Sequence, residues 1–202
     1  MSQIIIYDDF LPKEEATEIL NAIYTVPIGW FFHRRKEWNK EQTSIRLGTT
    51  SSGRKVYVDE NMDMSYSFLY TNSHQETCTC VCCGIQKRFR NNPPKECEGM
   101  KIQDDFVSIY RPGDFLTQHT DNVSGRQWAF TYTITELWRP EWGGLLNIDR
   151  GKGKWEAYHP IFNRLILMEV KDNKANHFVS AVTPDCPINR ITYSGWYVNK
   201  EN

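Results

Sequence analysis

The segment QHTDN, residues 118 to 122, places a histidine and an aspartate two positions apart at the end of a stretch with the composition of a strand. Side chains two apart on an extended strand point to the same face, so His119 and Asp121 can reach one metal ion while Thr120 points away. Two histidines and one carboxylate are the donor set of non-haem iron(II) oxygenases, which keep coordination positions open. The pair therefore predicts a metal site that needs one more ligand.

That third ligand has four histidine candidates, which are His33, His74, His159 and His177. His177 is the best placed, because it begins the apolar stretch HFVSAV after the charged turn KDNKAN. His159 precedes a proline in a segment that reads as a hairpin loop, which favours a surface position.

Arg190 and Thr192 share one face of the predicted strand RITYSGWYV. An open iron site needs a co-substrate that supplies electrons, and a 2-oxo acid does this while presenting a free carboxylate. The planar fork of a guanidinium suits a carboxylate better than an ammonium does. A surface salt bridge is the alternative for Arg190, but an arginine in a buried apolar strand requires a partner.

Six motifs follow one another in a recognisable order: YRPGDFLTQHTDN, RQWAFTYTIT, WRPEWGGLL, PIFNRLIL, HFVSAV and RITYSGW. In this order they resemble the catalytic domain of the iron(II)- and 2-oxoglutarate-dependent dioxygenases, most closely the prolyl 4-hydroxylase-like branch. The resemblance spans about residues 104 to 198. The start, IIIYDDFLPKEEATEIL, resembles the family's leading strand and helix more weakly, and residues 27 to 100 match nothing.

The resemblance implies Fe(II), 2-oxoglutarate and O2 as cofactors, with ascorbate as a further candidate. It implies His119, Asp121 and His177 as catalytic iron ligands, and Arg190, Tyr110 and Thr192 as the residues that bind the distal carboxylate of 2-oxoglutarate. A carboxylate at position 121 favours hydroxylation, because related halogenases carry a small residue there to admit chloride.

One position departs from the pattern of prolyl hydroxylases. A second tyrosine is common in the strand after the HxD motif, but the inward position here is Thr133, with Tyr132 on the opposite face, so Thr133 is assigned to co-substrate binding. Trp196 resembles the tryptophan that walls the substrate pocket, although a core aromatic is an equal alternative, and Arg126 is the second substrate-contact candidate. Gly143 and Gly144 resemble a tight pair that opens a core strand, where glycine tolerates positive φ.

The elements that must position these residues follow from periodicity. A strand is predicted over 3 to 7, a helix over 13 to 24, a strand over Lys55 to Val58 and a second helix over much of 75 to 90, ended by Asn91-Asn92-Pro93-Pro94. Short strands then follow at 106–110, 115–121, 128–135, 144–149, 164–170, 177–182 and 190–198. The prediction is an α+β, mainly β fold with a double-stranded β-helix (jelly-roll) core and supporting N-terminal helices.

The domain organisation predicted from length is a single dioxygenase domain over 1–202. Residues 1–100 supply helical support and variable substrate loops, and residues 101–202 form the jelly-roll core. The aromatic-basic stretch Trp30 to Trp38 is either a lid over the substrate or an ordinary packed loop.

Composition excludes several other classes of protein. A formal net charge of −1 argues against a nucleic-acid partner, and the basic runs at 33–36 and 87–90 are expected to be solvated surface. No segment reaches the apolar length of a membrane helix and the start lacks a secretory leader, so a cytoplasmic protein is expected. The six cysteines are then thiols; Cys80 and Cys83 with Cys97 or His74 could hold zinc, but small buried side chains are favoured.

The expected substrate is a prolyl or other side chain of a protein or peptide, and a free amino acid or small metabolite is the alternative. A nucleic-acid demethylase of the same superfamily is disfavoured, because those enzymes usually carry a second arginine shortly after the one at position 190. From another class, a metal- or sugar-binding jelly roll without catalysis shares the fold.

Overall fold

A computed structural model describes residues 2–25, 45–49, 55–59, 64–72, 78–121, 123, 125–171 and 176–200. The helices and strands along these residues are β1 (Ile4–Tyr7), α1 (Lys13–Thr25), β2 (Ile45–Thr49), β3 (Lys55–Asp59), β4 (Met64–Tyr66), β5 (Leu69–Asn72), α2 (Val81–Asn91), β6 (Lys101–Tyr110), β7 (Leu116–His119), β8 (Arg126–Thr133), β9 (Leu146–Asp149), β10 (Trp155–Tyr158), β11 (Leu165–Glu169), β12 (His177–Val179) and β13 (Arg190–Val198). Single-turn 3-10 helices cover Lys95–Cys97 and Pro140–Trp142.

Among the described residues, the strands form two antiparallel sheets. One sheet has the order β1-β11-β8-β13-β6-β5, and the other has the order β10-β9-β12-β7-β4-β3-β2. Strands distant in sequence become neighbours, as where β13 lies between β6 and β8. This crossing of long connections is typical of a jelly roll, so the predicted mainly β fold with a double-stranded β-helix core is confirmed.

The six-stranded sheet is covered on both faces, and strand alternation decides which side chains face which layer. On β11, Leu165 and Leu167 pack with the helices, whereas Ile166 and Met168 belong to the core between the sheets. The helix-side core also takes the apolar stripe of α1 (Ala16, Ile19, Leu20, Ile23) and, from α2, Cys82, Ile85 and Phe89. The helices therefore support the outer face of the sheet and leave its inner face for the site.

The predicted elements are mostly present, with shifted bounds. The second helix begins at Val81 and ends at Asn91, where the Asn-Asn-Pro-Pro sequence follows as expected. Strand β10 was not predicted, because its exposed sequence Trp155–Tyr158 lacks an apolar alternation. None of the described helices is long and apolar enough to cross a membrane.

In the basic run at 87–90, Lys87 and Arg90 are exposed, as expected of a solvated surface. Phe89 is fully buried, and Arg88 pairs with Glu18 of α1, Nη2 to Oε2, at 2.7 Å. The other basic run, at 33–36, and the Trp30 to Trp38 stretch lie outside the described residues.

Asn163 connects the N-terminal segment to strand β8 through hydrogen bonds. Its Nδ2 donates to the Leu11 carbonyl at 2.8 Å, and its Oδ1 accepts from Leu11 N–H and the Tyr132 hydroxyl, each at 3.0 Å. The residue is buried and has a φ of 60°, a conformation that asparagine tolerates better than alanine.

We expect Asn163→Ala to lower the free energy of unfolding by about 3 kcal/mol, because it leaves buried donors and an acceptor unpaired. Urea denaturation followed by circular dichroism measures this. The control is Asn21→Ala on the exposed face of α1, which should change stability by less than about 0.5 kcal/mol. Equal effects of the two substitutions would contradict the role given to Asn163.

Candidate metal centre and co-substrate cavity

The two histidines predicted as ligands lie on neighbouring strands of the seven-stranded sheet. Strand β7 ends at His119, β12 begins at His177, and the two residues are direct register partners. Their ring centroids are 4.2 Å apart, and both side chains are buried. Strand pairing therefore brings together two imidazoles that are far apart in the sequence.

Asp121 joins them from the loop that follows β7. Its Oδ1 is 3.6 Å from Nε2 of His119, and its Oδ2 is 3.6 Å from Nε2 of His177. The candidate ligand atoms of the three residues lie within 4.8 Å of one another. The strand predicted over 115–121 ends at His119, so Asp121 reaches the cluster through a turn, in which Val123 N–H donates to the Asp121 carbonyl at 2.8 Å.

The backbone sets the tautomer of His119. Its Nδ1 lies 2.9 Å from the carbonyl oxygen of Thr117 and donates its proton there, which leaves the lone pair on Nε2 facing Asp121. Burial, followed by the neighbouring His177, lowers the pKa of His119 to about 4. A neutral imidazole held in this way is the form that binds a divalent metal.

A cavity of about 330 Å³ lies between the two sheets, next to this cluster. That volume is near the lower end of the range for small-molecule sites. Its walls combine the His119–Asp121–His177 cluster, Arg190 and Thr192 of β13, apolar side chains of both sheets such as Leu146, Ile166, Met168 and Val179, and an aromatic group, Tyr66, Phe68, Tyr70, Phe106 and Trp196.

Arg190 is a buried cation in the wall of this cavity. Its side chain is 2% exposed, and burial lowers the pKa of the guanidinium from its ordinary value. Within the described parts of the chain, its contacts are Thr192 Oγ1 at 3.5 Å and the ring of Tyr110 at 4.9 Å, and no carboxylate pairs with it. Its Nε makes no hydrogen bond. Since a buried charge requires compensation, this guanidinium fits an anionic ligand in the cavity.

Tyr110 and Thr192, the other residues expected near the co-substrate, flank Arg190. Tyr110 is the register partner of Arg190 on β6, and burial raises the pKa of its phenol, so its hydroxyl stays protonated and can donate. Thr192 Oγ1 is 2.9 Å from Oγ of Ser108. Tyr110, Thr192 and Ser108 line the cavity together with Arg190.

Thr133 is the one co-substrate candidate that does not reach the cavity. It is buried beside Thr192 on the neighbouring strand, but Thr131, two residues earlier on the same face of β8, lines the wall in its place. Thr131 Oγ1 is 2.8 Å from Oγ of Ser194. The alternation of side chains along β8 indicated which face of the strand is turned to the cavity, but not which residue on that face lines it.

Comparison with known proteins bears directly on this arrangement. Residues 106–198 match the family model of the 2OG-Fe(II) oxygenase superfamily. Over these residues, the chain belongs to the 2OG-Fe(II) oxygenase superfamily. The protein is therefore an oxidoreductase, and the superfamily implies Fe(II), 2-oxoglutarate and O2 as metal, co-substrate and oxidant. This sets aside the alternative of a jelly roll without catalysis.

Solved structures with the same fold are spread over bacteria, animals and viruses. A Pseudomonas putida prolyl-4-hydroxylase is similar with a TM-score of 0.62 and 15% identity, over 98% of this chain and 93% of that one. A Trichoplax adhaerens prolyl hydroxylase in complex with a hypoxia-inducible-factor peptide has a TM-score of 0.59 and 18% identity, over 98% and 84%. A viral collagen prolyl hydroxylase from Paramecium bursaria chlorella virus-1 has a TM-score of 0.51 and 16% identity, over 97% of this chain and 96% of that one. No curated protein matches the sequence.

Of the other histidine candidates, the structure describes only His159. His159 follows β10 and is not part of the His-Asp-His cluster. His33 and His74 lie outside the described residues. The aromatic side chains of the 66–70 segment were not predicted as site residues, because their loop-like sequence gave no indication that the segment pairs with β6 and β7.

Arg126 and Trp196, the substrate candidates, contact each other at the cavity wall of the oxygenase. The guanidinium of Arg126 lies 3.6 Å from the centroid of the Trp196 ring, and its Nη2 donates to Asp104 at 3.1 Å. Nε of Arg126 and Nε1 of Trp196 are both buried and make no hydrogen bond. Two N–H donors therefore remain for an acceptor on a ligand.

Gly143 and Gly144 have the positive φ that the sequence predicts, 65° and 62°. A Cβ on Gly144 would lie 3.0 Å from Cδ of Arg190, and one on Gly143 would lie 2.2 Å from the carbonyl oxygen of Ala181. The glycine at 144 therefore leaves room for the Arg190 side chain in the oxygenase.

We expect Gly144→Ala to weaken 2-oxoglutarate binding about tenfold, because displacement of Arg190 loses part of a charge-assisted contact. Calorimetric titration of 2-oxoglutarate into the metal-loaded protein measures this. Gly153→Ala is the matched control, since Gly153 also has a positive φ, 73°, but nothing lies within 4 Å of its added Cβ. If both substitutions weakened binding equally, backbone strain rather than contact with Arg190 would be the cause.

Proposed function

We propose that this oxygenase hydroxylates an unactivated C–H bond, most directly in a prolyl or other side chain of a peptide, using Fe(II) held by His119, Asp121 and His177. The observation that carries the proposal is the buried cation Arg190, which shares one cavity with the His-Asp-His cluster and lacks a carboxylate partner among the described residues. An open metal site beside an uncompensated guanidinium suits a chelating 2-oxo acid with a second carboxylate.

The donor set suits the metal. His119 and His177 turn their Nε2 atoms to opposite oxygens of Asp121, so two imidazole nitrogens and one carboxylate converge on one point. Two histidines and a carboxylate leave the remaining octahedral positions for co-substrate and oxygen. Neither thiol nor backbone donor is needed for this set.

When bound, Fe(II) with 2-oxoglutarate and O2 supplies a coupled oxidation in which one oxygen atom enters the C–H bond and the other enters succinate as carbon dioxide leaves. The chain's own residues orient and enclose the reactants. Arg190 binds the distal carboxylate, with the hydroxyls of Tyr110 and Thr192 as neighbouring donors. Apolar side chains such as Ile166 and Met168 keep water away from the reacting atoms.

The cavity walls support a peptide side chain as the substrate. Phe68 stacks on Tyr110 at 4.7 Å between ring centroids, and Phe106 contacts Trp196 at 6.1 Å, which forms an aromatic surface suited to a nonpolar ring such as that of proline. The two unpaired N–H donors, Nε of Arg126 and Nε1 of Trp196, can bind backbone carbonyl oxygens that flank such a side chain. The solved prolyl hydroxylases share this fold.

A free amino acid is the second candidate, and the pair Arg126–Asp104 favours it. These groups at the cavity wall carry one positive and one negative charge 3.1 Å apart, which complement an α-carboxylate and an α-ammonium. A free amino acid would form an ion pair with each of these groups, whereas an internal peptide residue would accept only hydrogen bonds to its backbone carbonyl oxygens.

The assay that tests the proposed function supplies Fe(II), 2-oxoglutarate, ascorbate and air, with peptide and free amino-acid libraries. We expect succinate production that increases with a library member which gains the mass of one oxygen atom. Internal peptide residues as products support the first candidate, and free amino acids support the second. No oxygen incorporation into either library, with 2-oxoglutarate consumption unchanged by any member, would contradict both.

We expect Trp196→Phe to raise the KM for the organic substrate about tenfold, because it keeps an aromatic ring under Arg126 but removes a buried donor worth about 1.4 kcal/mol. The KM for 2-oxoglutarate should not change. Steady-state kinetics with the substrate that the library assay identifies measure both constants. The control is Trp155→Phe, since Trp155 lies on β10 and is 41% exposed. A rise in KM for 2-oxoglutarate alone would assign Trp196 to the co-substrate.

A further inference from the structure

A second group of potential metal ligands lies at the start of α2, outside the oxygenase cavity. Cys78, Cys80 and Cys83 place their Sγ atoms within 4.8 Å of one another, and Sγ of Cys80 is 3.4 Å from Sγ of Cys83. Sulfur atoms around a tetrahedral zinc ion lie about 3.8 Å apart, given zinc–sulfur bonds of about 2.3 Å. The three thiols are therefore already close to the spacing that zinc requires.

We propose that Cys78, Cys80 and Cys83 bind one zinc ion as thiolates, with the fourth coordination position taken by water or an added ligand. This inference does not depend on the proposed oxygenase function. The sequence alone favoured small buried thiols over zinc, and the zinc site that it offered as the alternative paired Cys80 and Cys83 with Cys97 or His74. Cys97 lies instead in the helix-side core and is fully buried, and His74 is outside the described residues.

The local backbone explains the convergence. Cys80 is the N-cap of α2 and Cys83 lies in its first turn, so the spacing C-x-x-C places both thiols on the same helix end. Cys80 does not cap the helix through its side chain, and its N–H points to Sγ of Cys78 at 3.4 Å.

The chemistry of this cluster differs from that of the His-Asp-His site. Thiolates are soft donors that favour zinc, whereas imidazole with carboxylate suits Fe(II). The chain thus offers each metal a separate donor set. Cys82, between the ligands in sequence, is buried and points away, with Sγ 3.6 Å from the Thr71 carbonyl on β5.

Bound zinc would hold Cys78 and Cys80 against the first turn of α2. Helix α2 contacts β6 through Gln86, whose Nε2 donates to Asp105 at 2.6 Å. The ion would therefore stabilise the N-terminal end of α2, and its ligands are separate from the His-Asp-His cluster.

Cobalt(II) provides a test that does not depend on enzyme activity, because cobalt bound to thiolates absorbs in the near ultraviolet through charge transfer. The full-length protein is stripped with a chelator under reducing, anaerobic conditions and titrated with cobalt. We expect a thiolate band that saturates at one ion per chain and disappears when one equivalent of zinc is added. Zinc should also raise the thermal unfolding temperature of the stripped protein.

Two sets of variants locate the site. Cys78→Ser, Cys80→Ser and Cys83→Ser should each lower zinc affinity at least about a hundredfold, since even an outer-shell change costs 10–100-fold. Cys82→Ser and His119→Ala should keep the band. The proposal is overturned if the unaltered protein shows no thiolate band, if it forms a Cys80–Cys83 disulfide in preference to binding metal, or if Cys82→Ser removes the band.

Discussion

Arg190→Met should reduce the affinity for 2-oxoglutarate by at least about a hundredfold, because it removes a buried charged partner whose loss typically costs 2–5 kcal/mol. Nothing else in the described cavity wall can replace it: the other arginine there, Arg126, already pairs with Asp104. Calorimetric titration of 2-oxoglutarate into the manganese-loaded, oxygen-free protein measures the loss.

The same substitution should have the opposite effect on the stability of the ligand-free protein. Arg190 is buried without a carboxylate among the described residues, and replacing such a charge by an apolar side chain of similar length removes a desolvation penalty. We therefore expect Arg190→Met to unfold at a higher temperature than the unaltered protein when 2-oxoglutarate is absent.

Two controls separate a binding role from a structural one. Arg190→Lys keeps the charge but not the planar fork, so its affinity for 2-oxoglutarate should lie between those of the unaltered protein and the methionine variant. Arg139→Met removes an arginine whose side chain is 68% exposed, and it should change neither property. Unchanged 2-oxoglutarate affinity in Arg190→Met would show that Arg190 does not bind the distal carboxylate of 2-oxoglutarate.

Alanine at His119, Asp121 or His177 should lower Fe(II)-dependent succinate production at least about a thousandfold, because loss of a direct ligand exceeds the 10–100-fold cost of an outer-shell change. Each residue supplies one of only three donors in the cluster, and all three are buried. Succinate formation at saturating 2-oxoglutarate and the affinity for Fe(II) are the two measurements.

The matched control for these three variants is His159→Ala, which removes a histidine outside the cluster. It should keep both the Fe(II) affinity and the rate. A ligand variant that retained the parental rate would show that another residue holds the metal. A rate loss with unchanged Fe(II) affinity would give that residue a role other than coordination.

The sequence allowed the residue types of the site to be predicted because local spacing encodes them. His119 and Asp121 are close in sequence, and Arg190 and Thr192 share a strand face. The direct pairing of His177 with His119 could not be read from either strand alone, since register across a sheet depends on contacts between distant segments. The position of His177 at the start of an apolar stretch favoured it among the histidines, and the motif resemblance supported the same choice.

The same limit explains the errors. Thr133 lies on the predicted face of β8, but Thr131, two residues earlier on that face, lines the cavity, and alternation does not say which position along a strand lies beside a cavity. The stacking of Arg126 on Trp196 depends on the register between β8 and β13. The convergence of Cys78 with Cys80 and Cys83 depends on the backbone that leads into α2, which composition does not specify.

The most direct test of the central claim is the position of the metal itself, found by anomalous diffraction from crystals grown with Mn(II) and 2-oxoglutarate without oxygen. We expect one peak bonded to Nε2 of His119, a carboxylate oxygen of Asp121 and Nε2 of His177, with the distal carboxylate of 2-oxoglutarate on the guanidinium of Arg190. A manganese peak away from these three side chains, or 2-oxoglutarate without contact to Arg190, would contradict the account.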